Sequence, residues 1–179
     1  MRTRMIVAFA SVALLVLGSA ASAQADTTGV THLNVQGGPL SLDTDPSGPQ
    51  TTNVALTGAP QLVSVSLAPF GVTDATGTLN GWHVDVALSD FTNGAFRIDA
   101  SAAHMAVPNV VGAAGASMTG VHAYGIEPGT GGGVIVRADQ GQGAGIYLIS
   151  PQPIELTVPA DATPGTYQMV VNVSVTSGP

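Results

Sequence analysis

The chain has 179 residues with a formal net charge of −7, no cysteine and no lysine, and only 4% of its residues are aromatic. That charge opposes phosphate backbones and anionic lipid surfaces, which are bound through Lys and Arg. It also leaves no disulfide to staple a small extracellular fold, so stability must rest on one core built mainly of Val, Leu, Ile and Ala.

The N-terminus has the layout of a secretion signal. Arg2 and Arg4 supply a positive n-region, Met5 to Leu17 an apolar run, and Ala21-Ser22-Ala23 and Ala23-Gln24-Ala25 small-residue cleavage sites. The apolar run falls short of the roughly 20 residues a membrane-spanning helix needs. Residues 1–25 are therefore expected to form a signal-peptide helix that is cleaved after Ala23 or Ala25, and residues 26–179 a single secreted domain. No Cys follows the leader and no sorting motif precedes Pro179, so no covalent retention is expected. Loss of Arg2 and Arg4 leaves two cations, Arg97 and Arg137, against eleven acids, a net charge of −9. A chain of roughly 150 residues buries about 68–70% of its unfolded surface, enough for one unassisted core.

Beyond the leader, short apolar runs alternate with Gly, Pro, Asn and Asp. Strands are predicted at Val30 to Val35, Thr51 to Thr57 and Gln61 to Ala68, the last with Val63, Val65 and Leu67 on one face. The clearest is Trp82 to Leu88, directly after Leu79-Asn80-Gly81. There Trp82, Val84, Val86 and Leu88 share one face, and His83, Asp85 and Ala87 the other. Ala95 to Ala103 follows, with Phe96, Ile98 and Ala100 predicted to face inward. The interval Val110 to Met118 contains Gly112 and Gly115 beyond Pro108 and is predicted as loop or a single helical turn. Further strands are predicted at Val121 to Ile126, Gly133 to Ala138, Ile146 to Ile149, Ile154 to Val158 and Thr166 to Thr176. Turn signals every 8–12 residues or so predict an all-β chain forming a single antiparallel β-sandwich of Ig-like or Greek-key type.

Two segments carry a family resemblance. Val72-Thr-Asp74-Ala-Thr-Gly-Thr-Leu-Asn-Gly81-Trp82-His-Val84-Asp-Val86, followed by Asp90-Phe91, resembles the first signature of the WxL domain. The ending Pro164-Gly-Thr-Tyr167 through Gly178-Pro179 resembles that family's C-terminal strand. The resemblance implies non-covalent display on the bacterial cell wall, with peptidoglycan as the ligand. Its motif residues here are Asp74, Gly81, Trp82, Val84, Val86, Phe91 and Tyr167. On this resemblance the chain would be a divergent relative: Val84 stands in place of Leu, and no tryptophan lies near Asn172 to Val175, where the second Trp-x-Leu would fall.

Other motifs suggest little chemistry. Trp82 offers an indole face for sugar stacking, but its alternation with Val84, Val86 and Leu88 places it in a core. Asp43 and Asp45 imitate the start of a calcium loop, whose twelfth position would be Val54 rather than Glu, so an ordinary turn is expected. His32, His83, His104 and His122 stand singly, without a zinc-ligand pair, and His83 can bond Asp85 on the polar face. Asp74 and Asp90 are expected to cap turns. Gly129 to Gly133 lacks the Lys of a phosphate loop, and there is no Gly-x-Ser-x-Gly elbow. No catalytic residue, metal or cofactor is predicted. The expected function is a secreted, wall-attached, non-enzymatic surface protein without stable membrane insertion. The alternatives are an adhesion module pairing with another surface protein through sheet edges and, more remotely, a secreted hydrolase.

Overall fold

A computed structural model describes residues 32–44 and 52–179. The expected signal segment and Asp45 lie outside the described residues. The chain divides after Asn34, and the fold described here is that of the unit beginning at Val35.

That unit is all-β, built from antiparallel sheets. Its strands are β1 (Leu40–Leu42), β2 (Gln61–Val65), β3 (Phe70–Asp74), β4 (Trp82–Leu88), β5 (Phe91–Asn93), β6 (Phe96–Ile98) and β7 (His104–Met105). They continue with β8 (Asn109–Ala113), β9 (Val121–Ala123), β10 (Gly132–Ala138), β11 (Gly145–Ser150), β12 (Ile154–Val158) and β13 (Val171–Ser177). Two four-stranded sheets run in the orders β1-β3-β11-β8 and β13-β4-β10-β9. A three-stranded sheet, β2-β12-β7, and the β5-β6 pair complete the set. Among the described residues the helical structure is a 3₁₀ turn at Ala100–Ala102, where the Asp99 carboxylate accepts from the Ser101 amide at 2.8 Å.

Alternation decides which face of each strand is buried. In β4, Trp82, Val84 and Val86 are buried and His83 and Asp85 are half-exposed. In β11, Tyr147 and Ile149 are buried, while Ile146 and Leu148 face out. In β12, Ile154, Leu156 and Val158 are buried. These inward side chains join Phe70, Val72, Met105, Ile126, Ile135 and Val136 in one continuous apolar core. Burying an aliphatic side chain of this size contributes about 1.5–3 kcal/mol. Trp82 ties two sheets together: its ring centroid lies 5.3 Å from that of Tyr147, with the planes tilted by 56°. The indole also donates to the Gly143 carbonyl at 2.8 Å, satisfying its polar atom within the core.

Several local expectations are corrected. Val110 to Met118 is not loop throughout, because β8 pairs along its length with β11. Gly112 is accommodated there because a Cβ at that position would collide with the Ala116 carbonyl; it marks a close backbone approach rather than a break. Residues 52–57 form no strand; Thr52 instead ties down through its hydroxyl, donating to the Ser64 carbonyl at 3.0 Å. Ala95 to Ala103 is strand only at β6 before the 3₁₀ turn, and Phe96 is 50% exposed while Ile98 and Ala100 are buried. β13 begins at Val171, later than expected. Just before it, the Ser89 hydroxyl accepts from the Val170 amide at 2.8 Å, and Gln168 forms an isolated bridge with Thr92.

Candidate functional site

The family-motif residues do not converge on a surface. Trp82, Val84 and Val86 are core, and Asp74 is buried at the end of β3. Its carboxylate accepts from the Thr76 amide at 3.0 Å and the Thr76 hydroxyl at 2.6 Å, closing the turn that leads to β4. Gly81 has φ +75°, and a Cβ there would meet the backbone of Ala138 and Asp139, so the approach to Trp82 is open only to glycine. Phe91 starts β5 and is partly buried against the core. Tyr167 packs on the same core, and its hydroxyl donates to the Thr163 carbonyl at 3.0 Å. Asp43 accepts from the Thr73 hydroxyl at 2.9 Å. Asp90 both accepts from the Ala100 amide at 3.0 Å and pairs with Arg97 at 3.2 Å.

Chemistry gathers instead on the outward face of the β13-β4-β10-β9 sheet. Register places Thr176 opposite His83, His83 opposite Arg137, and Arg137 opposite His122. These four side chains thus form one row across four strands. The next row on the same face pairs Ser174 with Asp85 and Asp85 with Val134. A bulge in β10 between Val134 and Val136 lets both Ile135 and Val136 bury while keeping Val134 and Arg137 outward. His83, Tyr124, Val134, Arg137 and Pro179 line an open concavity of about 550 Å³ on this face.

The row is held by hydrogen bonds. His83 Nε2 lies 3.1 Å from Asp85 Oδ2, and its Nδ1 lies 2.7 Å from the Gly178 carbonyl. A carbonyl only accepts, so the Nδ1–H donates to Gly178, and Nε2 is turned to the Asp85 carboxylate. His122 Nε2 lies 3.0 Å from Asp139 Oδ2, and Arg137 Nη2 donates to Asp139 Oδ1 at 3.2 Å. The His122 hydrogen bond, then the His122 and Arg137 charges, hold the Asp139 carboxyl below its ordinary value against the opposing effect of desolvation. Arg137 Nε is buried with no hydrogen-bond partner among the described residues. A buried donor left in that state costs about 1–3 kcal/mol.

No protein-family model, no curated protein and no solved structure matches this chain significantly. The site is therefore defined by its own chemistry. Guanidinium, imidazole and phenol groups stand beside carboxylates on a four-stranded sheet, around an open hollow. Such a surface both donates and accepts hydrogen bonds, and it suits a polar ligand rich in oxygen.

Sequence reasoning placed His83 beside Asp85 on a polar face, as observed. It did not single out Arg137, Tyr124 or the His122–Asp139 pair. One signal was available: Arg137 is one of only two cations after Arg4.

Proposed function

We propose that this chain is an exported, non-enzymatic surface protein that attaches without covalent linkage to the bacterial cell wall, with peptidoglycan as its ligand. The secretion-type leader supports export, and the WxL-like segments around Trp82 and Tyr167 support the address. The observation that carries the reading is the division of labour across β4, whose inward side builds the core while its outward side joins a four-strand polar row. A single Ig-like or Greek-key sandwich is the architecture we assign to the unit beginning at Val35. The two four-stranded antiparallel sheets, whose inward side chains share one continuous core, support it.

Sedimentation with purified peptidoglycan tests the proposal. The protein is expected in the pellet, and a chain that stays wholly in the supernatant overturns it. A second reading, partner binding through a sheet edge, is favoured by β13. This strand stands at the edge of its sheet, pairs without interruption from Val171 to Ser177, and contains neither a charged residue nor proline. Edge strands of that kind offer unblocked backbone groups to an added strand. Under that reading, retention at the surface follows the partner rather than the wall.

A further inference from the structure

We propose that the concavity between His83, Tyr124, Val134, Arg137 and Pro179 is a glycan subsite, binding a neutral pyranose chain through its hydroxyl groups. The inference rests on the wall-binding reading and assigns contact to the glycan strand rather than to the peptide stems. Charge makes the choice among ligand classes. The polar row and its surroundings hold one guanidinium, from Arg137 on β10, against two carboxylates, Asp85 on β4 and Asp139 just after β10. Counting the two carboxylates against the one permanent cation, that balance disfavours a free carboxylate or a phosphate. A sugar hydroxyl carries no charge and both donates and accepts, so it can use the carboxylates and the guanidinium together.

The geometry fits a chain ligand. The hollow is open, and its volume of about 550 Å³ lies inside the range of roughly 300–1,000 Å³ usual for small-ligand sites. Tyr124, 39% exposed, contributes ring surface suited to sugar C–H groups and a hydroxyl at its edge. Val134 and Pro179 add apolar patches beside the polar row. Arg137, which lines the hollow, contributes the donors of its guanidinium. The row is also stiff before any ligand arrives. Arg137 is anchored by Asp139, and His83 by its bond to the Gly178 carbonyl, so little side-chain freedom remains to be lost on binding.

The test titrates the full-length chain with chitotetraose, a neutral N-acetylated glycan, and in parallel with N-acetyl-alanyl-alanine, which ends in a free carboxylate. Backbone amide NMR shifts report the location. Saturable chitotetraose binding is expected, with the largest shifts at His83, Tyr124 and Arg137 and no saturable response to the peptide. Arg137→Gln and Tyr124→Ala should each weaken the glycan affinity at least tenfold while far-UV circular dichroism is unchanged. Arg137→Lys, which keeps the charge and loses the guanidinium, should weaken it too, and serves if Arg137→Gln does not fold. Sedimentation by walls without chitotetraose binding overturns the glycan assignment and leaves the wall reading standing. Peptide binding at the same amides, or full glycan affinity in the Arg137 variants, also overturns it. Failure to bind both walls and chitotetraose removes the two readings together.

Discussion

Replacing Trp82 separates a core tryptophan from a ligand-stacking one. The side chain is fully buried, its Nε1 donates to the Gly143 carbonyl at 2.8 Å, and its ring packs on Tyr147. Trp82→Phe keeps an aromatic ring against Tyr147 but leaves the buried carbonyl without its donor, at a cost of about 1–3 kcal/mol. Trp82→Ala also opens a large cavity, and truncations of buried Trp cost about 3–5 kcal/mol. Against a domain stability of roughly 5–15 kcal/mol, the alanine variant is brought close to unfolding, whereas the phenylalanine variant folds. The assay is urea denaturation followed by far-UV circular dichroism, because either substitution removes the only intrinsic tryptophan. The midpoint should fall with the slope unchanged, the mark of lost stability rather than an altered denatured state. In the parent protein, Trp82 fluorescence should resist quenching by iodide. The reasoning is refuted if Trp82→Phe unfolds within about 0.5 kcal/mol of the parent, the size of an ordinary surface substitution. It is equally refuted if that variant keeps its stability and loses wall retention, which would place the indole on the ligand.

Three further substitutions probe the surroundings. Gly143 has φ +83°, and a Cβ there would lie 2.7 Å from the Trp82 indole nitrogen; Gly143→Ala should cost at least about 1–3 kcal/mol from the backbone alone, and a variant as stable as the parent would contradict the packing. Burial, and then the nearby Asp74 charge, push the Tyr147 phenol above its ordinary value of 10.0. The unfolded chain therefore ionises first, so stability should be intact below pH 10 and fall as pH rises beyond it. Tyr147→Phe loses the bond to the Ser117 carbonyl at 2.8 Å and so should be less stable at pH 7, but should lack this alkaline decline in thermal melts. Asp139 is held below its ordinary value of 3.8; its contribution should be present above that pH and disappear as pH falls through the lowered value. Parent and Asp139→Asn melting curves should then differ at pH 7 and converge in acid, and a constant gap down to the acid limit would count against the His122–Asp139–Arg137 arrangement.

How much of this was legible depends on whether a signal is local. β4 and β12 were predicted with the bounds observed, Trp82–Leu88 and Ile154–Val158, because each alternates without a glycine and packs one face on the core. β3 and β8 were not identified as strands, because Gly71 and Gly112 interrupt their apolar pattern. In both, the glycine exists to admit a neighbour: a Cβ at Gly71 would lie 2.7 Å from an Asp43 carboxylate oxygen, and one at Gly112 would strike the Ala116 carbonyl. At Gly71 that neighbour, Asp43, stands far back in the chain, beyond any local window; at Gly112 it is Ala116, close in sequence but brought against the strand only by the turn that follows it. The polar row was hidden for a related reason. His83, His122, Arg137 and Thr176 look like isolated polar residues until strand register aligns them, and the β10 bulge shifts Arg137 out of simple alternation with Val134.

The same register links the core to the proposed ligand face. Side chains on a strand alternate strictly, so a one-residue slip of β4 would move Trp82, Val84 and Val86 outward and drive His83 and Asp85 into the core. The slip is opposed from both sides of the strand. Trp82 is held inside by Gly143 and Tyr147, and His83 is held outside by Gly178, at the far end of the chain. Asp74 and Gly81 act earlier, closing the turn and admitting the close approach that set where β4 begins. A tryptophan motif of this kind can therefore govern ligand binding without touching the ligand. It fixes the register on which Arg137, His83 and His122 come into line, so loss of binding on mutation of Trp82 should always be accompanied by loss of stability, whereas mutation of Arg137 should separate the two.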